Sequence, residues 1–157
     1  MALLLDTPAF LWWVDDAPRL TERARAAIAL RDQACFVSLA SCWEIGIKVS
    51  LGKLTLESSL ERFLAEQMAI NGFQPLAITL GHVARVAALP FHHRDPFDRL
   101  LVAQALDEDL TIVSAEAVFE KYGVRRVKTA DAIRSPDATP AAAHRRPARA
   151  PPRCRRR

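Results

Sequence analysis

No apolar run in this chain approaches the roughly 20 residues that a membrane-spanning helix needs. The opening "MALLLD" has no basic stretch and is interrupted by Asp6 after five residues, so it lacks the make-up of a signal peptide. These absences predict a cytoplasmic protein with no membrane partner. Cysteine is equally scarce. Cys35, Cys42 and Cys154 form an odd set without a CxxC pair, which argues against a disulfide framework and a thiolate zinc site. Only five glycines are present, and none builds GxSxG, GxxxxGK[ST] or a dinucleotide fingerprint. Serine-hydrolase, P-loop and Rossmann-type chemistry therefore find no support.

The formal net charge of +4 does not describe the bulk of the chain. Seven arginines and one aspartate lie from Ser135 onward, in "SPDATPAAAHRRPARAPPRCRRR". The preceding 134 residues carry 15 basic and 17 acidic side chains, a net −2. A Pro/Ala/Arg segment cannot bury enough apolar surface to offset its ordering entropy. The expected organisation is one domain over 1–134 and a disordered basic tail over 135–157. Such a tail either contacts RNA phosphates without sequence preference or has no role.

What the chain has in quantity is short apolar runs alternating with helical patterns. "ALLLD" (2–6) reads as a buried strand, "ACFVSL" (34–39), "QPLAI" (74–78) and "LTIVS" (110–114) as the second, third and fourth strands, and "VRRVKT" (124–129) as a fifth, edge strand. Between them lie helical patterns. One follows Thr7-Pro8, read as a cap with proline in the first position. Others cover 20–32 with Thr21 as cap, 41–54 ending near Gly52, 56–73 ended by Asn71-Gly72, 79–89 and 96–110, with a short one at 115–123. Alternation of this kind predicts a parallel sheet covered by helices on both faces. Trp12, Trp13 and Trp43 fall beside apolar residues at helical positions, which predicts core packing for at least two.

Ligands of such sheets bind beyond the carboxyl ends of the strands, and acids collect there. Asp6 ends the first strand, and Glu44 opens the helix after the second. Asp95 and Asp98 open the helix before the fourth strand, and Glu116 follows that strand. Carboxylates gathered in a low-dielectric pocket repel unless a cation neutralises them, and oxygen-only sets select Mg²⁺ or Mn²⁺ over zinc. Each acid also has a structural reading. Asp95-Pro96 fits a helix cap, Ser41-x-x-Glu44 fits a capping box, and Glu44 and Lys48 fit an i,i+4 ion pair. Ser114 can cap, with Glu116 gaining from the helix dipole. Asp6 alone has no evident structural task, since Thr7 is available as the cap. His82, His92 and His93 show no repeated acid–His spacing and read as outside any metal set. The pair at 92–93 either flanks substrate or is a polar loop.

"LLLDTPAFLWW", "VSLASCWEIGIKVSLGKL", "LPFHHRDPFDRLLVAQAL" and "LTIVSAEAVFEKYGV" together resemble the PIN-domain ribonucleases, and most of all the VapC-like toxins of type II toxin–antitoxin pairs. The resemblance runs in collinear order over about residues 3–128. It implies a three-layer α/β/α sandwich with a central, mainly parallel sheet of four to five strands. It also implies a Mg²⁺-dependent endoribonuclease, with Mn²⁺ as a possible substitute, that hydrolyses RNA with a metal-activated water. Position by position, Asp6 matches the family's first acid, Glu44 the second and Asp98 the third. Asp95 is an extra acid of this subgroup. Glu116 stands where the family usually has an aspartate two residues after Thr or Ser. The implied ligands are Asp6, Glu44, Asp98 and Asp95, with Glu116 completing the catalytic set. Thr7 and Ser114 are implied to orient water or phosphate, and Lys48, Arg94 and Arg99 are candidates for phosphate contacts. The resemblance further implies a homodimer and a cognate antitoxin whose C-terminal segment occupies a groove near the acids. An apolar groove between the helices at 8–14 and 41–51 is a candidate for it.

Rival readings remain. A degenerate PIN domain would bind RNA or antitoxin without cutting, a reading motivated by Glu116. A haloacid-dehalogenase-type phosphotransferase also places Asp after its first strand, but it would want a second Asp where Pro8 stands. A Rossmann-like binding module lacks its glycine loop.

Overall fold

A computed structural model describes residues 1–129. The basic tail expected from residue 135 lies outside the described residues. Five strands form one sheet, and all neighbours pair in parallel. They are β1 (Leu3–Leu5), β2 (Cys35–Ser38), β3 (Gln74–Leu76), β4 (Thr111–Ser114) and β5 (Arg126–Lys128), in the spatial order β3-β2-β1-β4-β5. The helices are α1 (Thr7–Val14), α2 (Glu22–Ala29), α3 (Leu39–Ser50), α4 (Leu60–Asn71), α5 (Leu80–Ala88) and α6 (Pro96–Asp107), followed by a 3₁₀ turn at Ala117–Tyr122.

β1 and β4 are buried along their whole length, as strands covered on both faces must be. Their side chains alternate between two apolar layers. Leu3 and Leu5 join Phe10, Ala24, Cys42 and Ile45 on one side. Leu4 and Ile112 join Leu101, Val102 and Phe119 on the other. The expected α/β/α sandwich is the fold observed. Trp12 and Trp13 pack against the first layer, and Trp13 donates its indole N–H to Asn71 at 2.8 Å. Trp43 remains 64% exposed and meets Phe97 edge-on.

The chain winds outward from β1 through β2 to β3, then returns to the other side of β1 for β4 and β5. The winding direction reverses between β1 and β4, and a crevice opens at their carboxyl ends. Asp6 leaves one strand there and Ala115 the other. The two ends are joined by the Asp6 N–H donating to the Val113 carbonyl at 3.2 Å.

Local expectations hold for Thr21, which caps α2, and for Gly72, which ends α4 at φ 69°. Two do not. The cap of α1 is Asp6, whose Oδ1 accepts the Ala9 N–H at 2.7 Å, so Thr7 is the first helical residue and Pro8 the second. Asp6 therefore has the structural task that the sequence reading denied it. The cap of α3 is Ser38, which accepts the Ala40 N–H at 3.0 Å. β2 passes into α3 without a loop, which buries Ser41 inside the helix and removes the Ser41–Glu44 capping box.

Candidate active site at the carboxyl ends of β1 and β4

Asp6 is 2% exposed. Burial is the main reason its carboxyl is pushed up to about 7, with the charges of Glu116 and Glu44 adding to the shift. The Ser114 hydroxyl and the Ala9 N–H oppose it by bonding the carboxylate. Ser114 is itself buried, and its oxygen accepts the Glu116 N–H at 2.9 Å. One hydroxyl thus links the acid after β1 to the turn after β4.

Asp98 enters from α6. Asp95 caps that helix, accepting the N–H groups of Phe97 at 2.8 Å and Asp98 at 3.0 Å, and Pro96 fills the first position, where no N–H is needed. The Asp98 carboxyl is pushed up to about 8, first by burial and then by the charges of Asp95, Asp6, Glu44 and Glu116. All five acids therefore act on a common space. His93 Nε2 lies 2.9 Å from Asp98 Oδ2.

Glu44 projects from the second turn of α3. Its Oε2 accepts the Thr7 hydroxyl at 2.7 Å, and its Oε1 pairs with Lys48 at 3.1 Å. Both readings of Glu44 thus apply: it faces the other acids and forms the i,i+4 ion pair. Glu116 is exposed and makes no side-chain capping bond to the 3₁₀ turn.

The acids share a crevice without closing on one point. Among the described residues, no three His, Cys, Asp or Glu side chains are gathered tightly enough to hold an ion as they lie. Backbone N–H groups hold Asp95, Thr7 and Lys48 hold Glu44, and His93 holds Asp98. The donor set nevertheless fits a hard divalent cation. It consists of carboxylate oxygens, and its two inner members resist ionising beside one another, a penalty that a cation removes.

The expected polar helpers divide. Thr7 and Ser114 are buried, with their hydroxyls bonded to Glu44 and Asp6 respectively. Arg99 is 5% exposed, and its guanidinium donates to the carbonyls of Val86, Leu89 and Pro90. It braces the 89–95 loop from inside and is not a rim cation. Arg94 is exposed. His82 is buried and shares a capping box with Thr79, its Nε2 lying 3.1 Å from Glu108. The sequence placed His93 only in a pair that flanks substrate or forms a polar loop; its contact with Asp98 is made from the loop directly before α6.

A doubly wound parallel sheet with carboxylates at its switch point defines a three-layer α/β/α domain with an acidic crevice. The family model for the PIN domain matches residues 3–125, and the chain belongs to that family. Solved structures with this fold include VapBC2 from Rickettsia felis bound to a DNA fragment from its promoter. It has a TM-score of 0.63 and 12% identity, covering 82% of this chain and 99% of that one. FitAcB from Neisseria gonorrhoeae has a TM-score of 0.57 and 20% identity, covering 79% and 95%. DNA-bound VapBC from Salmonella typhimurium has a TM-score of 0.56 and 19% identity, covering 82% and 98%. No curated protein matches the chain. Among the described residues, no helix is long and apolar enough to cross a membrane.

Proposed function

We propose that this chain is a Mg²⁺-dependent endoribonuclease acting as the toxin of a toxin–antitoxin pair in the cytoplasm. The observation that carries the reading is the acid cluster at the β1–β4 switch point of a PIN domain, where Asp6 and Asp98 are pushed up to about 7 and 8. Asp6, Glu44 and Asp98 would hold the ion, with Asp95 beside them. A bound Mg²⁺ or Mn²⁺ would supply the positive charge that eases ionisation of water and offsets charge at the phosphodiester.

The chain's own residues do the rest. Ser114 fixes the Asp6 carboxylate, and Thr7 fixes that of Glu44. Glu116, exposed at the mouth of the crevice, is the proposed acceptor of the proton from the attacking water. Arg94 and Lys48 are the proposed phosphate contacts. Beside the acids, a groove of about 290 Å³ runs between α1 and the end of α3, lined by Pro8, Leu11, Trp12, Asp15, Lys48 and Lys53. It is the proposed seat of the antitoxin segment, and Lys48 connects it to Glu44. A homodimer is the proposed assembly.

The test is cleavage of mixed structured RNA by the purified chain with Mg²⁺, with Mn²⁺ and with EDTA, beside Asp6→Asn prepared identically. Cutting that needs metal and vanishes in Asp6→Asn is the expected result. Cutting that survives the substitution would come from a contaminant. No metal-dependent cutting on any RNA would favour a PIN domain that binds without cleaving.

A further inference from the structure

We infer that His93 is a positioning residue for Asp98, holding one carboxylate oxygen through Nε2–H so that the other is presented to a divalent cation. The inference rests on the nuclease reading above. Two contacts define the imidazole and a third holds its backbone. Nε2 lies 2.9 Å from Asp98 Oδ2, Nδ1 accepts the Asp95 N–H at 3.2 Å, and the backbone N–H of His93 donates to the Tyr122 hydroxyl at 2.8 Å. With Nδ1 accepting from the backbone, Nε2–H is the ring donor that faces Asp98.

That arrangement differs in kind from the one at Glu44. Lys48 brings a full positive charge to Glu44, which competes with an incoming cation. The His93 ring instead orients Asp98 through a single ring N–H from the loop before the helix that carries it. The same ring also receives the backbone of the residue that caps α6, so cap and ligand are fixed by one side chain. Tyr122 in turn ties the loop to the turn after β4, and the His93 ring leans on Phe119. Partners that orient metal-binding side chains typically account for about 10–100-fold in metal affinity.

The experiment titrates Mn²⁺ into the full-length chain by calorimetry, using wild type, His93→Gln, His93→Asn, His93→Ala and Asp98→Asn, with thermal melts of each. A glutamine amide places a donor where Nε2 stands. An asparagine keeps an acceptor near Nδ1 and loses that donor. The expected result is a loss of about 10–100-fold in affinity for Ala and Asn, with Gln close to wild type. Equal losses in Gln and Asn, or wild-type affinity in Asn and Ala, would overturn the inference while leaving the nuclease reading intact, provided Asp98→Asn abolishes binding. A wild-type chain that takes up no Mn²⁺ would overturn both.

Discussion

The hydroxyl of Thr7 donates to Oε2 of Glu44 at 2.7 Å and joins the first residue of α1 to the second turn of α3 across 37 positions of sequence. Among the described residues, the other partner of Glu44 is Lys48, which lies on its own helix. Thr7→Val keeps the shape and the β-branch but removes the donor. A hydrogen bond to a charged group is worth about 1.5–3 kcal/mol. Since Thr7 is buried, the substitution is expected to leave the fold intact and lower divalent-cation affinity and RNA cleavage by about tenfold or more. Parallel measurements of Mn²⁺ affinity and cleavage rate check it. Unchanged values for both would show that Lys48 alone places Glu44.

Asp6 and Asp98 give the metal-free chain a defined pH dependence. Their folded values, about 7 and about 8, lie above the ordinary 3.8. Between that ordinary value and the folded values, the native state binds more protons than the unfolded chain, so stability falls as pH rises. The loss begins near pH 4 and is complete about one unit above the higher of the two folded values. Urea unfolding at pH 5.5 and pH 8 in EDTA should show lower stability at pH 8, and Mn²⁺ should reverse it. Asp6→Asn retains a good helix cap and removes one buried charge. It should raise metal-free stability at pH 8 while abolishing the gain from Mn²⁺.

Much of this architecture was legible because buried parallel strands read as unbroken apolar runs and because caps leave local signs. "LLL", "CFVS" and "TIVS" sit within the segments expected of them. Asp95-Pro96 and Thr21 cap as their neighbours suggest. The misreadings share a cause. Thr7-Pro8 and Ser41-x-x-Glu44 both match local capping patterns, but each helix begins where its strand ends, and the residue at that junction takes the cap. Asp6 and Ser38 occupy the junctions. Exposure of a long polar side chain was also unreadable. Arg94 and Arg99 both lie in the same basic-acidic stretch, and only the fold puts one outside and the other beneath Val86, Leu89 and Pro90.

These two arginines should separate cleanly in experiment. Arg99→Ala removes the donor to the carbonyls of Val86, Leu89 and Pro90, of which the bond to Leu89 is buried, and removes the guanidinium over Phe91, whose ring centroid is 4.1 Å away. Loss of a partner from a buried polar group costs about 1–3 kcal/mol, and the less buried carbonyls re-solvate, so the expected loss is about 1–3 kcal/mol. Chemical denaturation should show that loss. Arg94→Ala should leave stability within about 0.5 kcal/mol and act on RNA instead. If Arg94 meets a phosphate, its removal weakens binding on every RNA sequence alike and reduces the salt slope by about one. An unchanged salt slope would remove Arg94 from the phosphate set.

Glu116 gives the sharpest separation between a working and a vestigial crevice. Its charge raises both Asp6 and Asp98, although it is exposed and caps nothing with its side chain. Glu116→Gln keeps the side-chain length and removes that charge. Both inner acids should then ionise more readily, so the metal-free stability gap between pH 5.5 and pH 8 narrows. A cation gains less when there is less repulsion to relieve, so Mn²⁺ affinity should fall, by about three- to tenfold for roughly 1 kcal/mol of lost interaction. In a working nuclease, cleavage should fall further than Mn²⁺ affinity, because the proposed proton acceptor is gone as well. The check is cleavage measured at saturating Mn²⁺ beside the calorimetric titration. A rate that is fully restored at saturation would confine Glu116 to an electrostatic role and pass the proton to another carboxylate of the cluster.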